Sequence, residues 1–176
     1  LIASGLWIVT SIYSIGYMRG KKEDNQTRFY CFFALAIGST MGVAYAGNLL
    51  TLFIFYEALS LSTYPLVTHH QNENAKKGGR TYLGVLLTTS VIFFLFGVIW
   101  VWFLSGTTEF VSGGVLADKI SPFLTGILLL LFVFGIGKAG VMPFHRWLPA
   151  AMVAPTPVSA LLHAVAVVKA GVFSVL

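Results

Sequence analysis

The chain has 176 residues, 57% of them hydrophobic and only 10% charged, with a formal net charge of +5. Soluble domains carry about 25% charged residues, so the composition excludes an ordinary soluble globule and implies an integral membrane protein. The basic excess does not imply nucleic-acid binding, because it clusters in two loops that flank apolar runs. The single cysteine, Cys31, permits no intrachain disulfide and no cysteine cluster for zinc or iron–sulfur. In an apolar run it reads as a small buried hydrophobe.

The apolar runs are long and continuous, so the spans should be helical, not barrel strands. The expected class is all-α, a polytopic transmembrane helical bundle with one discontinuous helix. The chain opens and closes inside apolar runs, which suggests a fragment of a longer protein. Residues 1–18 read as the end of a preceding helix. The polar loop 19–28 (RGKKEDNQTR) ends it. A second span covers about 29–46, Gly47 and Asn48 make a tight turn, and a third span covers 49–67. Glu57 lies in the middle of that span and is the only Asp, Glu, Lys or Arg in residues 29–72. A carboxylate in hydrocarbon costs roughly 2.5–3.5 kcal/mol on insertion scales, so a retained one suggests a function.

The loop 69–80 (HHQNENAKKGGR) follows, then a fourth span over 81–104 and a glycine-bearing loop with Glu109, Asp118 and Lys119. The loops 19–28 and 69–80 hold seven basic residues and lie on one side by span parity. The opposite side holds only Lys119. The positive-inside rule makes the basic loops cytoplasmic. Glu23, Asp24, Glu73, Glu109 and Asp118 read as loop charges, and His69 and His70 as solvated boundary residues.

The fifth span begins at Pro122, a good first-turn residue, and runs through LLLLFVFGIG to Lys138. The next stretch, GKAGVMPFHRWLPAAMVAPTPV, contains four prolines and two glycines. It reads as a broken helix over 122–152, opened at Gly140 and Pro143, with Arg146 and Trp147 near the cytoplasmic interface. Irregular backbone at membrane depth is tolerated only inside protein or beside a water-filled cavity, and transporters place ion sites at such breaks. The last span covers 157–176. It carries His163 and Lys169, six residues and about 9 Å apart and pointing about 120° apart on a regular helix. They could serve successive positions of a water wire but not one ligand site. His145, on the second half of the broken helix, is a candidate for a channel entrance. Ser60, Ser62, Thr63, Thr88, Thr89 and Ser90 could hydrate a channel or bond neighbouring helices. Phosphate-cradling, dinucleotide and haem-attachment motifs are lacking.

Residues 137–171, GKAGVMPFHRWLPAAMVAPTPVSALLHAVAVVKAG, closely resemble the central signature of the proton-conducting antiporter-like membrane subunits. The third span, NLLTLFIFYEALSLSTYPLV, resembles the same family's acidic helix. That family includes the large membrane-arm subunits of respiratory complex I, the A-type and D-type subunits of Mrp cation/proton antiporters, and membrane subunits of energy-converting hydrogenases. The variant here looks most like the Mrp D type. The resemblance implies most of the first of two inverted five-helix repeats. It also implies a proton relay through Glu57, Lys138, His163 and Lys169, with Glu57 and Lys138 facing each other as an ion pair. It further implies other membrane subunits of a hetero-oligomeric complex as partners, protons and a monovalent cation (Na+) as cargo, the bacterial inner membrane as location, and no cofactor, metal or nucleic acid on this chain. Two readings stay open beside the antiporter. One is a proton-pumping arm of an NADH:quinone oxidoreductase or hydrogenase, with any redox site elsewhere. The other is a scaffold whose buried charges fix helix register.

Overall fold

The computed structural model describes residues 2–116 and 120–175. Asp118 and Lys119 lie outside the described residues. Nine α-helices occur among the described residues: α1 (Ile2–Gly20), α2 (Gln26–Ala44), α3 (Leu49–Val67), α4 (Glu73–Thr89), α5 (Phe96–Ser105), α6 (Pro122–Gly135), α7 (Trp147–Ala150), α8 (Thr156–Ala160) and α9 (Val167–Val175). A π-turn over Ser90–Leu95 joins α4 to α5, and another over Leu161–Val165 leads from α8 towards α9. Among the described residues, four helical runs are long and apolar enough to cross a membrane: Gln26–Ala44, Leu49–Val67, Glu73–Ser105 and Thr156–Val175. Pro122–Gly135 is a shorter apolar helix.

Local chemistry sets the starts of these helices. Asn48 Oδ1 accepts from Thr51 N–H at 2.7 Å and caps α3, and Asn72 Oδ1 accepts from Ala75 N–H at 2.7 Å and caps α4. Each side chain satisfies one of the four orphan amides of a helix start. The α4 cap explains a departure from the sequence reading. The helix begins at Glu73, eight residues before the apolar run at 81, because a capped polar segment can stay helical outside the hydrocarbon. Pro122 opens α6 behind Ser121, whose hydroxyl accepts from Leu124 N–H at 3.4 Å.

The α2–α3 hairpin is the most closely packed pair. Gly42 permits this, since a Cβ there would lie 2.2 Å from the Phe55 ring. The loop after α5 closes over the hairpin turn, where Leu49 N–H donates to the Thr108 carbonyl at 2.8 Å. Cys31, expected to be buried, is instead exposed on the outer face of α2. The buried core runs from Phe29 and Phe33 of α2 through Tyr56 and Leu59 of α3 to Tyr82, Phe94 and Trp147.

Candidate functional site at the helix break

The regular helix of the fifth span ends at Gly135, ahead of Lys138. Ile136 leaves helical geometry at φ −84°, ψ 58°, and Gly137–Ala139 form a single 3-10 turn. Gly140 follows at φ +72°, a left-handed conformation that glycine adopts without steric cost. The Met142–Pro143 peptide bond is cis. The break thus starts earlier than Gly140 and Pro143, and Lys138 sits within it, not at the end of a helix.

Small residues let three elements close on this turn. A Cβ at Gly135 would lie 2.4 Å from the Phe94 backbone nitrogen, in the first π-turn. One at Gly137 would lie 2.5 Å from Thr89 Oγ1, and one at Gly171 would lie 2.4 Å from Ala139 N. Backbone therefore meets backbone around Lys138, which is fully buried. π-turns recur at functional sites because the extra residue re-aims backbone groups.

The ammonium of Lys138 is held by neutral groups of α3. Nζ donates to the Tyr56 carbonyl at 2.8 Å and to Ser60 Oγ at 2.6 Å. It also lies 3.2 Å from the Tyr56 ring centroid, a cation–π contact. The backbone N–H of Lys138, freed by the break, donates to the Tyr56 hydroxyl at 3.0 Å. Tyr56 therefore grips this one residue with its carbonyl, its ring and its hydroxyl.

The Glu57 carboxylate forms neither an ion pair nor a hydrogen bond with Lys138 in this arrangement. The ion pairs among the described residues are Glu23 with His69, Glu23 with His70, and Glu73 with Lys76. The physical reason is helical geometry. Tyr56 and Ser60 are four apart and share the face that meets Lys138, and Glu57 is rotated about 100° from Tyr56. Both Glu57 carboxyl oxygens are shielded from solvent and have no hydrogen-bond partner among the described residues. A buried carboxyl without donors is costly unless its environment compensates, and such groups concentrate where charge moves.

Hydroxyls continue from Ser60 along α3 towards the basic loops. Thr63 and Tyr82, both fully buried, share a hydrogen bond of 2.6 Å, and Thr63 also donates to the Ser60 carbonyl at 3.1 Å. Thr89 and Ser90 return their hydroxyls to their own helix. Trp147 is fully buried, unlike the interfacial anchor expected from sequence. Its Nε1–H donates to the Gly137 carbonyl at 2.9 Å, and its ring lies parallel to that of His163 at 6.4 Å. The second half of the broken helix thus reaches back and adds a second donor to a carbonyl that also accepts from Gly140 N–H at 3.0 Å.

The remaining candidates are spread out. His163 lies on the second π-turn, half-buried, with Nε2 shielded and unpartnered among the described residues. Lys169 is exposed on α9, and His145 and Arg146 are exposed after Pro143. The structure brings Lys138 together with Tyr56 and Ser60, and His163 with Trp147, and leaves Lys169 and His145 on the surface. Tyr56 and Trp147 were not singled out by sequence for the site. The signal for Tyr56 was its i, i+4 spacing to Ser60 on a helix that already held an unexplained acid. His69, expected to be solvated, is only 5% exposed. Among the described residues no group of three or more His, Cys, Asp or Glu side chains is placed to hold a metal ion.

Residues 46–176 match the sequence family described as NADH:quinone oxidoreductase/Mrp antiporter, TM. The chain belongs to that family. It is 35% identical over 175 residues to a Rhizobium meliloti protein named as a probable K(+)/H(+) antiporter component of the A/B type, covering 98% of this chain and 17% of that protein. It is 33% identical over 175 residues to a Staphylococcus saprophyticus protein named as a putative antiporter component, mnhA2, covering 98% of this chain and 22% of that protein. The chain therefore spans about a fifth of the length of these relatives. Among solved structures it resembles a chain of the Mrp complex of a Dietzia species with a TM-score of 0.75 at 29% identity, covering 84% of this chain and 16% of that one. A chain of the membrane-bound sulfane sulfur reductase, an archaeal respiratory membrane complex, gives the same TM-score and identity over 82% of this chain and 30% of its own length.

Proposed function

We propose that this chain is part of a proton-translocating subunit of a multisubunit monovalent cation/proton antiporter in a bacterial inner membrane, with loops 19–28 and 69–80 cytoplasmic. The single observation that carries the reading is Lys138, fully buried at the break and held on α3 by Tyr56 and Ser60, one residue along from the buried acid Glu57. Bringing a carboxylate to a buried ammonium favours proton uptake, and separating them favours release. In this proposal the lysine alternates between two positions. In one it is docked on Tyr56 and Ser60, away from the acid, and in the other it is paired with Glu57. His163 would pass the proton on, and its stacking on Trp147 couples it to the carbonyl of Gly137. Lys169 would continue the line outside this part of the chain, and His145 would line its mouth.

The span order supports the placement of these helices in the first of two inverted five-helix repeats. The names of the two relatives favour the A type over the D type suggested by the 137–171 string. A second reading is a proton-pumping arm of a redox-driven complex. It is favoured by the equal likeness to a chain of an archaeal respiratory complex. Genes for flavin and iron–sulfur subunits beside this one would select it, and genes for small antiporter subunits would select the first.

The test uses the full-length protein in its assembled complex in sealed vesicles, with a pH-sensitive dye. Lys138→Ala is expected to abolish proton-coupled transport while the complex still assembles. Unchanged transport, or transport lost only in step with assembly, would sink the relay and favour a scaffold.

A further inference from the structure

The loop between α1 and α2 meets the end of α3 at a cluster remote in sequence from Lys138. A cavity of about 260 Å³ there is lined by Glu23, Asp24, Asn25, His69, His70 and Gln71. The three non-glycine residues with positive φ among the described residues all belong to this region: Lys22 at 52°, Asn25 at 54° and Gln71 at 57°. Strained backbone of this kind persists only where the surroundings hold it.

The cluster is tied across its two elements. Arg28 Nη2 donates to the His69 carbonyl at 3.2 Å, joining α2 to the residues after α3. Glu23 Oε2 lies 3.6 Å from His70 Nδ1 and 4.0 Å from His69 Nε2. The His69 side chain is 3% exposed and that of His70 35%. His69 Nδ1 and Arg28 Nε are shielded and have no hydrogen-bond partner among the described residues. One carboxylate therefore faces two imidazoles beside a permanent guanidinium. It can neutralise one imidazolium. Asp24 lines the same cavity but is exposed and within ion-pair distance of neither imidazole, so a second imidazolium would have no close counter-ion among the described residues.

We propose that Glu23, His69 and His70 form a proton-responsive cluster in which protonation of His69 releases the α1–α2 loop from the end of α3. The neighbours of His69 fit this role. Burial, then His70, then Arg28 disfavour its protonation, while Glu23 and the backbone of Asp24 favour it, and the balance holds His69 below the usual histidine range. Phe29 of α2 sets its ring edge-on to His69 at 5.4 Å and brings no charge. From α4, Gly79 is the group that closes on neighbouring Thr68. A base with a depressed native proton affinity leaves the closed form fully stable above its unfolded value, about pH 6.5. That stability falls as the pH drops through and below this value. Acidification on this side of the membrane therefore loosens the loop from the helix that carries Tyr56, Glu57 and Ser60. The inference stands whether or not Lys138 carries protons.

Hydrogen–deuterium exchange tests it on the full-length protein in its complex, in nanodiscs from pH 8 to pH 5, corrected for intrinsic exchange chemistry. Protection in segments 20–25 and 68–71 is expected to fall below pH 6.5 by up to about tenfold per pH unit, the limit for one linked proton. The His69→Gln variant should show a flat profile. The His70→Gln variant leaves Glu23 a single imidazole to serve, so its profile should be shallower. It also carries the test should His69→Gln fail to assemble. A flat wild-type profile, or a slope unchanged in the variants that assemble, would overturn the proposal.

Discussion

The two halves of α3 face different surroundings. Before Glu57, the helix packs into rings: Phe53 and Tyr56 stand edge-on to Phe94 at 5.6 and 5.4 Å, and Phe132 stands edge-on to Phe94 at 5.8 Å. After Glu57, its buried residues set the hydroxyls of Ser60, Ser62 and Thr63 among Leu59, Leu66 and Val67, and buried Thr68 and His69 follow beyond its end. Lys138 lies at the seam between the two. Hydroxyls can carry or solvate a proton, and an aromatic plug cannot. The contrast gives the buried amine a wet-compatible side towards the basic loops and a dry side away from them. One-sided access is what lets a small movement of charge become directional.

The strongest way to break that contrast is to open the dry side. Phe94→Ala removes the ring shared by Phe53, Tyr56 and Phe132. Stability should fall by about 3–5 kcal/mol by the cavity rule, and vesicles carrying the assembled variant should leak protons passively. A tight membrane with this variant would mean that the plug lies elsewhere. Next comes Gly135→Leu, whose side chain would enter the Phe94 backbone. A loss of about 3 kcal/mol should appear as a lower melting temperature in detergent. On the hydroxyl side, Ser60→Ala takes one acceptor from Lys138 Nζ and should cost about 1–3 kcal/mol. Transport should fall while Ser60→Thr retains most of it, and equal loss in both would mean that bulk, not the hydroxyl, matters. The smallest effect is expected from Trp147→Phe, which keeps an aromatic ring but removes one of the two donors to the Gly137 carbonyl, leaving Gly140 N–H. A cost of about 1 kcal/mol should register as a shift of a few degrees in melting.

How much of this was legible in the sequence depended on whether composition or direction was at stake. An apolar run behind the Gly47–Asn48 turn made α3 readable, and the membrane class followed from composition alone. The start of α4 did not, because residues 73–80 are polar and only the Asn72 cap marks them as helical. The unusual stretch after Lys138 announced a break, yet the break begins at Ile136, where φ and ψ change without a proline. Lys138 and Glu57 could be named from their burial in apolar sequence. The absence of an ion pair between them could not, since which of two adjacent residues meets a neighbouring helix depends on its rotation. The 120° separation of His163 and Lys169 assumed a regular helix, and the second π-turn intervenes.

Those two π-turns have a further consequence. Each inserts about one residue beyond the α repeat, which rotates everything downstream by about 100° relative to a smooth helix. Deleting a single amino acid within Ser90–Leu95 would relax the helix into a more regular cylinder. It would also swing Val98 and Val101, now buried, out towards lipid. The irregularity is a phase setting: it keeps the far end of a 33-residue helical run aimed inward while its near end holds Tyr82 against Thr63.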